Sequence, residues 1–395
     1  MTTQQTILSI AIVLLLFSCK KEDTLTPYTP PSEQEIIDEA LNIDLNALEN
    51  YANQSAPTYI TKDNTPAYNP ITDAGATLGR VLFYDKALSV DQSTSCASCH
   101  KQAHGFGDDV TLSQGVNGLT GRHSMRLINA RFGDEEKFFW DERADDLELQ
   151  STMPIQDHIE MGFSGENGDL GMSDLIQRLE ALPYYPILFN KAFGSETLTE
   201  EKMQWALAQF IRSIQSFDAK YDVGRAQVNS NMADFPNFTA NENNGKALFM
   251  QPVQFNQSGE RIGGGAGCAV CHKAPEFDIV PNSKHNGVVG TANNTGTDLT
   301  VTRSPSLRNL TQTDGTLNGP FMHTGKFLNL FSVINHYNDI SGSLSLQGID
   351  QRLLPNGNPQ KLQLTLAEKA DIISFLQTLA GEDVYTNEKW SNPFK

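Results

Sequence analysis

Cysteine is scarce in this 395-residue chain: there are five, four of them in two short boxes and the fifth in an apolar N-terminal run. No set is left over to build a disulfide framework. Long hydrophobic runs are also missing. The most apolar stretch, Ile7 to Ser18, is too short to span a bilayer as a stop-transfer helix and has the length of a signal-peptide core. Basic residues are outnumbered, with 29 Lys plus Arg against 47 Asp plus Glu and a net charge of -18. With no basic run, that balance argues against a nucleic-acid partner. An acidic surface can steer a small basic protein or simply keep an exported protein soluble. Convincing alternating strand patterns are few, which leaves a mainly α chain with long loops.

What is present is concentrated in Cys96-Ala97-Ser98-Cys99-His100 and Cys268-Ala269-Val270-Cys271-His272. In a C-x-x-C-H box the two thiols can form thioethers to the vinyl groups of a haem while the imidazole coordinates the iron. One box alone could be a zinc half-site or a redox dithiol. Two boxes, both ending in His, point to two covalently bound c-type haems with His100 and His272 as proximal ligands. The length suits two domains, each able to enclose a cofactor. A boundary near Tyr221-Asp222-Val223-Gly224 separates an N-terminal haem domain, 33–222, from a C-terminal one, 223–395. The expected architecture is two cytochrome c-like haem domains with long loops.

Residues 1–18 read as a signal peptide, although Met1 to Thr6 lacks the Lys or Arg of a charged leader start. Leu16-Phe17-Ser18-Cys19 resembles a bacterial lipobox. Cys19 would then carry lipid, residues 19–32 would form a Thr- and Pro-rich tether, and the protein would be periplasmic, touching the membrane only through its anchor. Apolar spacing predicts helices over Glu33–Tyr51, Ser173–Leu182 and Glu200–Phe217. The capping box Thr365-Leu366-Ala367-Glu368 opens another, stopped by Gly381. An internal repeat is hinted at. Leu78-Gly79-Arg80-Val81-Leu82-Phe83 precedes the first box and Gly245-Lys246-Ala247-Leu248-Phe249 the second, while Arg126-Leu127-Ile128-Asn129 and Ser306-Leu307-Arg308-Asn309 follow them.

The stretch Phe138-Phe139-Trp140-Asp141-Glu142-Arg143, then Gln150, Met153-Pro154-Ile155-Gln156 and Glu160-Met161-Gly162, is more specific. With the two boxes and Pro305-Ser306-Leu307-Arg308-Asn309, in this order, it resembles the bacterial di-haem cytochrome c peroxidase family, which includes the MauG-type quinone-cofactor maturation enzymes. The similarity runs from Asn69 to Asn338. It implies that the N-terminal haem is the peroxide site, with Gln150 and Glu160 on its distal side and Trp140 relaying electrons between the haems. The chemistry agrees, because O–O cleavage needs a proton moved from the inner to the outer oxygen, which a carboxylate can carry and an amide can orient. Without the resemblance, Glu160 reads as a solvated charge, Gln150 as a surface amide and Trp140 as core packing.

Departures from the family pattern sharpen the expectation. Many of its peroxidases carry a distal His in the loop that here reads Leu112-Ser113-Gln114-Gly115-Val116-Asn117-Gly118 and contains none. The first iron is therefore expected to be open, with His104 and His123 as substitute ligands to be weighed. The family's calcium site falls on His123, Asn318 and Pro320, and an imidazole where the family has Asn argues against the ion. The distal ligand of the second haem aligns with Tyr337, where peroxidases commonly have Met and MauG-type members have Tyr; Met322 and His336 are the rivals, and His323 belongs to the surrounding shell. A phenolate ligand would lower the second haem's potential relative to a thioether. The implied reaction is reduction of hydrogen peroxide to water with electrons from a small donor such as a cytochrome c. The alternatives are MauG-like oxidation of a partner protein and a non-catalytic di-haem electron carrier. Resemblance also suggests a homodimer.

Overall fold

The structure, a computed structural model, describes residues 30–293, 295–342 and 345–395. The leader, the lipobox with Cys19 and most of the tether lie outside the described residues. Among the described residues no helix is long and apolar enough to cross a membrane.

The chain is mainly α. Its helices are α1 Glu33–Ala40, α2 Asp73–Tyr84, α3 Cys96–Cys99, α4 Leu147–Thr152, α5 Met172–Glu180, α6 Tyr184–Phe193, α7 Glu200–Ser213, α8 Lys220–Arg225, α9 Ala240–Met250, α10 Leu330–Asn338, α11 Leu366–Gln377 and α12 Asp383–Thr386. Among the described residues, sheet is confined to three two-stranded antiparallel ribbons, pairing Gln114–Gly115 with Gly118–Leu119, Val253–Phe255 with Arg261–Gly264, and His272–Lys273 with Asp278–Ile279.

Two large hydrophobic clusters organise the molecule. The first gathers residues of α2, α6 and α7, the second residues of α9 and α11. Each rests on a helix crossing made close by a glycine. A Cβ on Gly79 of α2 would lie 2.0 Å from the carbonyl oxygen of Ala206 in α7, and one on Gly245 of α9 would lie 1.8 Å from that of Asp371 in α11. One turn beyond each glycine comes a phenylalanine of the same inner face. Phe83 packs on Phe210 of α7 and on Phe106, with ring centroids 5.1 and 6.1 Å away. Phe249 packs on Phe375 of α11 and on Phe277 at 5.3 and 5.8 Å. The ends of α7 and α11 are met alike: Asn129 and Asn309 both adopt left-handed φ, 58° and 54°, and donate their backbone N–H to the carbonyls of Ile214 and Leu379 at 3.0 and 3.2 Å. The two halves thus repeat one set of local devices around one haem box each.

The last residues of the chain return to the first cluster, which includes Val384 and Trp390. Arg80 donates to the carbonyls of Glu388 and Lys389, and the Tyr84 hydroxyl to that of Trp390 at 2.7 Å. This return also corrects one predicted helix. The helix expected over Glu33–Tyr51 ends at Ala40; Leu41 instead forms a bridge with Phe394, and Asn42 donates to the Pro393 carbonyl at 2.7 Å. The Gln34 side chain then folds the next segment back, donating to the Ile43 carbonyl and accepting from Leu45 N–H, both at 2.8 Å. Leu41, Ile43 and Leu45 are buried in alternation, the period of extended chain. The predicted helix from Glu200 stops at Ser213 rather than Phe217, and α11 ends at Gln377, ahead of Gly381.

Replacing Gly79 or Gly245 by Ala is expected to destabilise the haem-loaded protein by about 1–3 kcal/mol or more, because backbone at a helix crossing cannot yield to a methyl group. Gly342→Ala, with nothing within 4 Å of the added carbon, should stay within about 0.5 kcal/mol of wild type. Denaturant unfolding curves for the three variants check both.

Candidate active site

The first box forms α3, with Ser95 N–H bonded to the Ser98 hydroxyl at 3.0 Å across its start and His100 as its C-cap. The second is a 3-10 turn, Cys268–Val270, entered through left-handed Gly267. Each opens on its own cavity. One of about 450 Å³ is lined by Cys96, Cys99 and His100, and one of about 350 Å³ by Cys268, Cys271 and His272. Both fall in the size range of small-molecule and cofactor sites.

The chemistry of these donors separates the readings left open by sequence. Among the described residues no group of three or more His, Cys, Asp or Glu could hold a metal ion. Burial pushes the Cys96 and Cys268 thiols up to about 12 and those of Cys99 and Cys271 to about 11. A redox dithiol needs the opposite shift, toward thiolate. His100 and His272 are lowered by burial, the latter to about 4, so both are neutral imidazoles at pH 7. His100 Nδ1 lies 3.1 Å from the carbonyl of Phe106, which can only accept, so Nδ1 carries the proton and Nε2 is left as a ligand. The Phe277 carbonyl raises the His272 pKa in the same sense, although His272 Nδ1 makes no full hydrogen bond. Phe106 and Phe277 are both left-handed, φ 57° and 58°, and fully buried. Cavity and donor set fit a haem in each half.

Glu160, Gln150 and Trp140 all line the first cavity. Gln150 sits on α4, which Asp146 caps and which is fastened to α7 by the buried pair of Glu148 with Arg212, two contacts of 2.6 and 2.9 Å. Glu160 is held through its backbone, its N–H on Asp157 at 3.0 Å and its carbonyl accepting from Val116 N–H at 3.1 Å. Burial first, then the negative charge of Asp157, raises its carboxyl to about 7, against the opposing charge of Arg143. The loop without histidine lies directly on this segment. Asn117 N–H reaches the Ile159 carbonyl at 3.2 Å, and a Cβ on Gly115 would stand 2.1 Å from that oxygen. Of the two substitute histidines, His104 does not line the cavity and faces Asp109 at 3.7 Å, whereas His123 lies in the wall shared by both cavities, its Nδ1 donating to the Val110 carbonyl at 2.9 Å.

That shared wall is built from two hairpins of one design. Phe138 bridges Ala144 and Phe321 bridges Phe327, each with left-handed residues at its second and fifth positions: Phe139 and Glu142 in one, Met322 and Gly325 in the other. The third positions, Trp140 and His323, meet edge to face at 6.1 Å. Trp140 lines both cavities, and its indole N–H donates to the His123 carbonyl at 2.7 Å.

Tyr337 and Met322 both line the second cavity, and one amide ties them together. Asn286 Nδ2 donates to the Tyr337 hydroxyl at 2.7 Å and lies 3.6 Å from Met322 Sδ. His336 does not line the cavity; its Nε2 faces the Asn286 carbonyl at 2.9 Å. Of the aligned calcium positions, His123 and Pro320 line the second cavity, while Asn318 donates to the Asn309 carbonyl and the Tyr385 hydroxyl. Asn286, Phe106 and Phe277 were not legible in the sequence. They belong to no motif and lie in loops whose place depends on the rest of the fold.

A profile of the family described as di-haem cytochrome c peroxidase matches residues 73–228. Methylamine utilization protein MauG of Methylorubrum extorquens is 31% identical over 329 residues, covering 80% of this chain and 81% of its own. Cytochrome c551 peroxidase of Nitrosomonas europaea is 26% identical over 78% of this chain and 80% of its own. Among solved structures, a MauG-like protein associated with microbial copper homeostasis superimposes with TM-score 0.67 at 28% identity, over 86% of this chain and 99% of its own. With two His-ended boxes, each on a cavity of its own, and this breadth of similarity, the chain belongs to the di-haem cytochrome c peroxidase family.

Proposed function

We propose that this protein reduces hydrogen peroxide to water at its first cavity, with electrons delivered to the second by a small redox protein such as a cytochrome c. Cys96 and Cys99 would hold one haem covalently with His100 on its iron, and Cys268, Cys271 and His272 the other. When bound, these haems supply the electrons for peroxide reduction. The observation that carries the reading is Glu160, a buried carboxyl held near pH 7 in the cavity of the first box. In its ionised form a Glu160 Oε takes a proton from one peroxide oxygen and returns it to the other, which then leaves as water, while the remaining oxygen leaves as a second water after taking up two electrons from the donor protein and two protons from solvent. Gln150 orients the peroxide through its side-chain amide. Trp140 sets an aromatic ring in the wall between the cavities, where an electron passes from one half to the other. A periplasmic location, with the N-terminal leader removed, completes the picture.

A second reading, oxidation of a partner protein after the manner of MauG, draws support from two residues. Tyr337 presents a phenol to the second cavity with a donor amide already on its oxygen, and the loop on Glu160 offers no imidazole to close the first iron. An electron carrier without catalysis fits less well, because it gives Glu160 and Gln150 no task.

Two measurements test this. Glu160→Gln should keep two haems per chain yet lose about 10²–10⁴-fold in peroxide turnover, and the rise of wild-type rate with pH through about 7 should vanish with it. Unchanged turnover in this variant sinks the proposed role. Mixing the fully oxidised protein with peroxide in a stopped-flow spectrometer should change its Soret band at once. A response only after half-reduction would mean that a side chain closes the first iron, and would favour the peroxidase over the MauG-like reading.

A further inference from the structure

Arg126 stands apart from the other arginines at the centre of the molecule. Arg212 makes a two-point pair with Glu148, Arg308 one with Asp222 at 2.9 Å for both contacts, and Arg122 reaches Asp141 and Asp298 at 2.7 and 2.8 Å. Arg303, in the same wall as Arg126, has Asp278 at 3.6 Å and the Glu135 carbonyl at 2.9 Å. Arg126 forms no ion pair among the described residues. Its guanidinium has one long hydrogen bond, Nη2 to the Ser306 carbonyl at 3.3 Å, and its Nε is buried with no partner. Burial lowers it to about 10, which still leaves it charged at neutral pH. Arg126 as a whole is half-buried in the cavity wall, and a guanidinium placed there without an anion has its planar fork free to take a carboxylate by two parallel bonds.

Its position says where that carboxylate comes from. Arg126 lines both cavities. Its stem is seated against the loop that orients His100, so close that a Cβ on Gly107 would fall 2.8 Å from Arg126 Cγ. A haem brings two propionate carboxylates into whichever cavity it fills. We propose that Arg126 is the receptor for a haem propionate at the wall between the two cavities, supplying the counter-charge that the chain itself withholds. This rests on the reading that both cavities hold haem. The positive charge would favour the ferrous over the ferric state of the iron in that cavity and so raise its potential.

The test uses the mature haem-loaded protein as wild type, Arg126→Gln and Arg126→Lys, with haem counted by the pyridine haemochrome spectrum and midpoint potentials taken by spectroelectrochemical titration. Arg126→Gln should keep two haems, with the reduction equilibrium of at least one shifted tenfold or more toward ferric, about 59 mV for one electron. Arg126→Lys, which keeps the charge, should remain near wild type. Two haems with unchanged potentials in Arg126→Gln overturn the proposal. Should that variant lose haem, Arg126→Lys decides: restored haem and potentials support the charge pairing, and the same loss makes the guanidinium a packing element and overturns it. Fewer than two haems in the wild type would overturn the underlying reading and this proposal together, whereas the Arg126→Gln result bears on the proposal alone.

Discussion

In each half of this protein two helix backbones approach so closely that a single methyl group would not fit between them. Gly79 against Ala206 and Gly245 against Asp371 are the contact points, and much else is arranged from there. Because side chains one turn apart share a helix face, the glycine that allows the crossing also aims Phe83 or Phe249 at an aromatic group that includes Phe106 or Phe277. Phe106 and Phe277 complete those groups in left-handed backbone, a conformation most residues avoid. Its use here turns a carbonyl toward the imidazole. The chain thus links a packing constraint between helices to the orientation of the His100 imidazole.

The two halves meet in a wall that serves both cavities. Repeated hairpins bring Trp140 and His323 edge to face, and the indole N–H bonds to the His123 backbone, so the aromatic between the cavities has little freedom to turn. A fixed geometry suits electron passage, since no rearrangement is needed as the charge moves. The same wall carries Arg126 and Arg303, which gives an otherwise acidic protein local positive charge at its centre.

Polarity is set differently in the two cavities. Glu160 owes its raised carboxyl to burial beneath a loop that presses on its backbone, a loop in which Gly115 alone fits. At the second cavity the control is a single amide, Asn286, which reaches both the phenol of Tyr337 and the sulfur of Met322. The two cavities are thus furnished with unrelated parts on a repeated scaffold.

Much was legible in the sequence because covalent and periodic signals are local. A C-x-x-C-H box needs only five neighbours in order, a capping box four, and the glycine-to-phenylalanine spacing before each box one helical turn. Gln150, Glu160 and Trp140 were found by resemblance, and they do share a cavity. What failed was also local in cause: Leu41 and Leu45 suit a helical stripe, but the C-terminal tail bonds to Leu41 and Asn42 from more than 350 positions away, and Ile43 alternates with them in extended chain. The sequence by itself determined that the chain carries two C-x-x-C-H boxes and that each is preceded and followed by similar segments. Only the tertiary structure decided which histidines face a cavity, that one asparagine serves two candidate ligands, and that Arg126 has no carboxylate partner among the described residues, because burial and pairing are properties of neighbours brought together in space and no spacing along the chain records them.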